Sequence, residues 1–227
     1  MSIRHYNPRR RRRGGISPKA RNFLFLFVGL TIALQISYPL INGEALRVVT
    51  IATIYAGALA MIIHGHLSYG AKYSTRYLPI TALFGLGIEV LGVHTGWPFG
   101  IYEYGDGLGI KVLDIPLVIG LNWVIVTVSS WITVEWAFSK WNKLSKILMS
   151  ASLMTILDIL IEPVAPHLDY WMFQLNWPPV QNYIAWFWLG LLFSALMSML
   201  QRKRVSSTGV VVWMCQFFFF LALQLVY

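Results

Sequence analysis

Glu89, Asp158 and Glu162 lie inside long apolar stretches, ITALFGLGIEVLGVHTG (80–96) and ILMSASLMTILDILIEPVAP (147–166). A charged side chain at membrane depth is costly even on lenient scales, so such residues face a bundle interior and mark chemistry or transport. Asp158 and Glu162 are four apart, which makes their side chains neighbours on a helix. No Lys or Arg falls near their depth. Burial and mutual repulsion therefore leave at least one of the pair protonated at neutral pH. A protonated carboxyl group in an apolar pocket is a general acid. The structural alternative is a pair that only hydrogen-bonds to Asn122, to backbone freed by Pro163, or to itself.

Other polar residues group around these three. His94 lies just beyond Glu89 and could tune its proton or position water. Asn122 begins another apolar segment and could hold a water. Trp97, Phe99, Tyr102, Tyr104, Trp171 and Trp177 sit in two Gly/Pro-rich connections and could cover a pocket at the carboxylate layer. Aromatic faces stabilise a nearby positive charge, more so when desolvated. Glu135 reads as a boundary charge, His64 and His66 as interface histidines, and Asp106, Asp114 and Asp169 as solvated loop acids. Cys215 stands alone, so neither a disulfide framework nor a cysteine metal site is available, and no metal is expected.

The elements that must position these groups are membrane helices. The 227 residues are 57% hydrophobic and only 12% charged, about half the charged share of a soluble domain. A span needs about 20 mostly apolar residues. Seven such segments follow one another, at 22–41, 46–64, 77–95, 115–137, 145–163, 181–200 and 207–226. The expected fold is all-α, a polytopic helical bundle, because only helices or closed barrels satisfy their backbone in lipid. It forms one domain over 22–227, behind a disordered basic tail over 1–21.

Of the 18 Lys and Arg, only Arg47 and Lys111 fall outside the tail and the second, fourth and sixth connections with their helix ends. That asymmetry places the N-terminus in the cytoplasm and the two long aromatic connections outside. The charge of +9 is thus a topology signal and does not argue for nucleic acid. The run Arg9–Arg13 reads as a solvated tail or as a contact with anionic lipid. The chain is expected to be a multi-pass protein of a bacterial cytoplasmic membrane. Its oligomeric state is not readable.

Depth and periodicity converge. Glu89 and Asp158 lie about 20 Å into their spans from the cytoplasmic side, and Asn122 about 10 Å from the outer end of its own, at 1.5 Å per residue. All three fall in one layer, in the outer third of the bilayer. Gly85, Glu89, Gly92 and Gly96 form one helical stripe, Ala151, Thr155, Asp158 and Glu162 a second, and Asn122, Val126, Ser129 and Thr133 a third. The small residues serve either close helix packing or a substrate groove.

The stretches GIEVLGVHTGWPFGIYEYGDGLG, IPLVIGLNWVIV and DILIEPVAPHLDYWMF together resemble the CruF-type membrane carotenoid hydratases, over roughly 80–175. The shared positions are Glu89, Thr95, Gly96, Pro98, Phe99, Gly100, Tyr102, Tyr104, Trp123, Asp158 and Pro163, with Glu162 standing where relatives usually carry Asp. The resemblance implies a lipophilic carotenoid substrate and water as the reactants, with no cofactor. Water adds across the terminal 1,2 double bond of a ψ-end, on lycopene, γ-carotene or a C50 analogue, giving a 1-hydroxy tertiary alcohol. Asp158 is then the expected acid, Glu89 or Glu162 the base, and Asn122 the residue that fixes the water. Two other classes remain: a transporter using the carboxylates as a proton or ion relay, and a carotenoid-binding protein without chemistry.

Overall fold

Long apolar runs without a polar exit must close their backbone hydrogen bonds within themselves, and the described residues do this as seven helices. The computed structural model describes residues 18–41, 43–201, 207–225 and 227. The helices are α1 (Pro18–Ser37), α2 (Gly43–Tyr69), α3 (Leu78–Thr95), α4 (Val118–Ala137), α5 (Lys143–Ile161), α6 (Val180–Ser198) and α7 (Thr208–Leu223). Five stretches are long and apolar enough to cross a membrane: Glu44–Tyr69, Tyr73–Thr95, α4, α5 and α6. Val28–Ser37 and α7 are apolar but shorter. The all-α membrane bundle expected from the sequence is the architecture found. The basic run Arg9–Arg13, and with it the expected lipid contact, lies outside the described residues.

The bundle is organised around α4, which is buried along nearly its whole length, from Val118 to Val134. It packs against α2, α3, α5, α6 and α7, so its polar residues face protein rather than lipid. Glycines set the closest approaches. A Cβ on Gly190 of α6 would stand 2.9 Å from the Cα of Ala151 on α5. A Cβ on Gly85 of α3 would stand 2.5 Å from the ring of Trp123 on α4.

Among the described residues, strands occur only in the connections. β1 (Tyr102–Tyr104) pairs antiparallel with β4 (Trp171–Phe173), in the register Tyr102 opposite Phe173 and Tyr104 opposite Trp171. β2 (Lys111–Val112) and β3 (Ile115–Pro116) form a second small ladder. Side chains alternate across a strand, so Tyr102, Tyr104, Trp171 and Phe173 point down into the bundle while Glu103 and Met172 are exposed. The two long aromatic connections are therefore stitched into one cover.

At the opposite end of the bundle, a π-helical turn, Tyr73–Tyr77, leads into α3. Tyr69, Tyr73 and Tyr77 stack there in sequence. His64 corrects its reading as an interface residue: it is 1% exposed, with Nε2 3.2 Å from the Ser68 hydroxyl. Glu135 is not a free boundary charge, since Tyr69 donates to it at 2.7 Å.

The α5–α6 approach yields a direct prediction. Gly190→Val forces the two helices apart and is expected to destabilise the fold by about 1–3 kcal/mol, the usual range for overpacking. Gly87→Val adds its bulk where nothing lies within 4 Å and should leave the fold closer to wild type. Thermal unfolding in detergent compares the two.

Candidate active site

Each carboxyl group is delivered by the end of a helix. Glu89 lies six residues before the end of α3 and Asp158 three before the end of α5, while Asn122 is four residues into α4. At 1.5 Å per residue these positions fall within about 9 Å of the same end of the bundle. Glu162 follows α5 directly as its C-cap, its backbone N–H reaching the Asp158 carbonyl. Pro163 then prevents the helix from continuing. α3 is closed by Gly96, whose φ of +74° turns the chain through the left-handed region. Glycine is the usual residue there.

Glu89 is 5% exposed and accepts from three donors. Tyr102 and Tyr104 of β1 donate to Oε2 at 2.5 and 2.9 Å, and Trp123 Nε1 of α4 donates to Oε1 at 3.1 Å. The stripe beside Glu89 makes room for these donors. Gly85 admits the Trp123 ring, and a Cβ on Gly92 would meet the Tyr102 hydroxyl at 2.7 Å and Phe99 at 2.8 Å. Those glycines thus serve close packing of the aromatic donors. Burial, followed by the neighbouring Glu89 carboxylate, pushes the Tyr102 and Tyr104 hydroxyls upward. Both phenols therefore stay protonated and able to donate.

Asp158 and Glu162 are 2% and 4% exposed and are bridged by Asn182 in the first turn of α6. Its Nδ2 donates to Asp158 Oδ2 at 2.8 Å and to Glu162 Oε1 at 3.1 Å, using both amide hydrogens. Trp171 Nε1 of β4 donates to Glu162 Oε2 at 3.1 Å. The shared amide makes the two carboxyl groups close neighbours. Asp158 Oδ1 has no hydrogen-bond partner among the described residues.

These groups surround a cavity of about 30 Å³. A buried water needs about 10–15 Å³ on this measure, so the cavity has room for one or two. Glu89, Asn122, Asp158 and Glu162 line it, with Phe99, Tyr102, Tyr104, Trp123 and Trp171 among its aromatic walls. The Asn122 side chain makes no hydrogen bond among the described residues, and it lines the same cavity as Asp158. Trp186 stacks on Trp123, with ring centroids 4.5 Å apart. On the loop side, a larger cavity of about 490 Å³, lined by Asn176, Tyr183 and Gln224 among others, also reaches Glu162.

Three of the residues singled out in the sequence do not join the cavity, Trp177 among them, which is exposed on the loop-side cavity instead. His94 is exposed, its ring 3.8 Å from Asp114, because the last turn of α3 carries it to the outer surface. Trp97 is 61% exposed, carried outward by the turn at Gly96. The residues that sequence reasoning missed are Asn182, Trp186 and Phe173. A signal existed for Asn182: with Ala185, Leu189 and Phe193 it forms the buried stripe of α6, at helical spacing.

Residues 47–227 match the carotenoid biosynthesis protein family. That match covers most of the chain, which therefore belongs to this family. A bisanhydrobacterioruberin hydratase of Haloarcula japonica is 28% identical over 110 residues. The aligned part is 46% of this chain, and the match covers 38% of the relative's length. No solved structure matches the chain.

The Asn182 bridge is testable on its own. Asn182→Leu leaves the acceptors Asp158 Oδ2 and Glu162 Oε1 without this donor in a buried setting, which should lower stability by about 1–3 kcal/mol. Neighbouring Gln181 is exposed and bonds only to the Gly96 carbonyl, so Gln181→Leu should shift thermal unfolding in detergent much less.

Proposed function

We propose that this member of the carotenoid biosynthesis protein family is a hydratase that adds water to the terminal isopropylidene double bond of a carotenoid. The observation carrying the reading is Asp158, whose Oδ1 has no hydrogen-bond partner among the described residues, on the wall of a water-sized cavity that Asn122 also lines. The hydratase named among its relatives supports the same chemical class. Proton donation to an alkene requires an acid whose hydrogen is not committed elsewhere, and Asp158 Oδ1 is the uncommitted carboxyl oxygen.

In the proposed reaction, Asp158 gives its proton to C2 of the double bond, forming the C2–H bond and leaving a tertiary cation at C1. The faces of Trp123, Trp186 and Trp171 stabilise that cation. Glu89, held by three donors in the geometry that suits an anion, supplies a fixed negative charge. A water oriented by Asn122 attacks C1 and forms the C–O bond. Its surplus proton goes to Glu162, which adjoins the loop-side cavity, and returns to Asp158, the neighbouring carboxyl group held by the same Asn182 amide. One water is consumed, the proton is conserved, and no electrons are exchanged. No cofactor is required by this balance.

Alkene protonation has a high barrier, so the contribution of proximity must be large. Well-oriented intramolecular reactions gain about 7–11 kcal/mol. A closed aromatic cover keeps bulk water from competing for the cation.

Co-expression in a lycopene-producing bacterium should give pigments heavier by one water per reacted end, resolved by chromatography and mass spectrometry. In D2O the product should carry one non-exchanging deuterium at C2. Asp158→Asn, expressed at wild-type level, should lose the product by at least about the 10²–10⁴-fold that general acid catalysis supplies. Unchanged pigments beside folded wild-type protein would overturn the assignment.

A further inference from the structure

The cavity at the carboxyl groups is too small to hold a water together with the end of a hydrocarbon chain, so the second reactant needs space of its own. That space adjoins it in steps. A cavity of about 20 Å³ shares Asn122, Asp158 and Trp186 with the first and adds Gln216 and Phe220. One of about 70 Å³ shares Asn122, Gln216 and Phe220 with the second and adds Gln35 and Phe219. Gln35 and Phe219 in turn form the inner rim of a groove of about 550 Å³ between α1 and α7. Ile32, Ile36, Met214 and Phe218 on the groove are exposed, on the outside of the bundle where acyl chains lie.

We propose that this α1–α7 groove is the lateral entrance for the substrate, a linear methyl-branched polyene arriving from the hydrocarbon layer. Its end passes between Gln35 and Phe219 and then beside Gln216 to reach Asp158, while the rest of the chain stays in the groove. The inference rests on the hydratase reading for what happens at the end of the path. Its own support is the adjacency of the four spaces, each sharing wall residues with the next. Among the described residues the groove walls are apolar except for Gln35, and none is charged, which suits a hydrocarbon. The inner cavities are narrow, which suits a single chain end. Water has a separate approach, through the loop-side cavity that ends at Glu162. The two reactants thus meet the carboxyl pair from different sides, the alkene at Asp158 and water at Glu162.

Cys215, the only cysteine in the sequence, lies on the groove wall and reports on occupancy. Leu83→Cys adds a second thiol on α3, at an exposed position (69%) on an element that does not border the groove. The two-thiol protein is placed in lipid vesicles with and without lycopene. Alkylation by a membrane-permeant maleimide is followed at each thiol by peptide mass spectrometry, and hydration of the pigment is read in the same samples. Lycopene is expected to slow Cys215 several-fold and to leave the Leu83→Cys thiol unchanged. Hydrated pigment with Cys215 reacting as before overturns the route and leaves the hydratase reading standing. Equal slowing at both thiols reports exclusion of the reagent from the bilayer and also overturns the route. Selective protection of Cys215 without hydration upholds the groove as a polyene site and overturns the reaction.

Discussion

A carboxyl group taken out of water needs hydrogen-bond donors from within the protein, and three such groups under one aromatic cover dictate how this bundle is assembled. Each buried acceptor left empty costs about 1–3 kcal/mol, more for a charge. The donors come from four separate elements: Tyr102 and Tyr104 from β1, Trp123 from α4, Trp171 from β4 and Asn182 from α6. None of these elements can move away without stripping an acid. The pairing of β1 with β4 acquires its purpose from the same constraint. It aligns Tyr104 with Trp171, so one ladder supplies donors to both Glu89 and Glu162. Of the six oxygens of these three carboxyl groups, Asp158 Oδ1 alone has no hydrogen-bond partner among the described residues. Most buried polar groups are satisfied, and this acid oxygen stands where the proposed chemistry needs a free proton donor.

Much of this was legible in the chain because it follows from helical geometry. The depth of Glu89, Asp158 and Asn122 can be counted along their segments, and the 3.6-residue period brings Gly85, Glu89 and Gly92 to one face. What periodicity could not distinguish was the purpose of the glycines, since packing and a groove need the same small residues. The rings of Trp123, Phe99 and Tyr102 fill that space. Pairing between the two distant connections was not legible either. Strands of three residues carry almost no periodic signal, and their register depends on where the helix ends deliver them. His94 and Trp97 show the converse error. Nearness in sequence to Glu89 suggested nearness in space, but a helix ending in a left-handed glycine turns its last residues away from the face it buried. Asn182 was passed over because an amide carries no charge to stand out in an apolar segment, although its position on the buried stripe of α6 was readable.

A proton relay across the bundle is the main rival to acid–base chemistry at one end, and α4 is where it would have to run. That helix carries Thr127, Ser129 and Thr133 between Asn122 and Glu135, a polar ladder pointing toward the second buried group around His64, Ser68 and Tyr69. A relay needs each hydroxyl to hand its proton to the next. Thr127 instead donates to the carbonyl of Trp123, Ser129 to that of Val126 and Thr133 to that of Ser129. Each proton is turned back into the helix that carries it, the local bonding Ser and Thr commonly adopt inside helices. These three hydroxyls therefore form no hand-over along α4, while Ser130 Oγ on the same helix is buried with no hydrogen-bond partner among the described residues. In the proposed reaction the proton passes only among Asp158, Glu162 and the attacking water, the closed cycle that hydration requires.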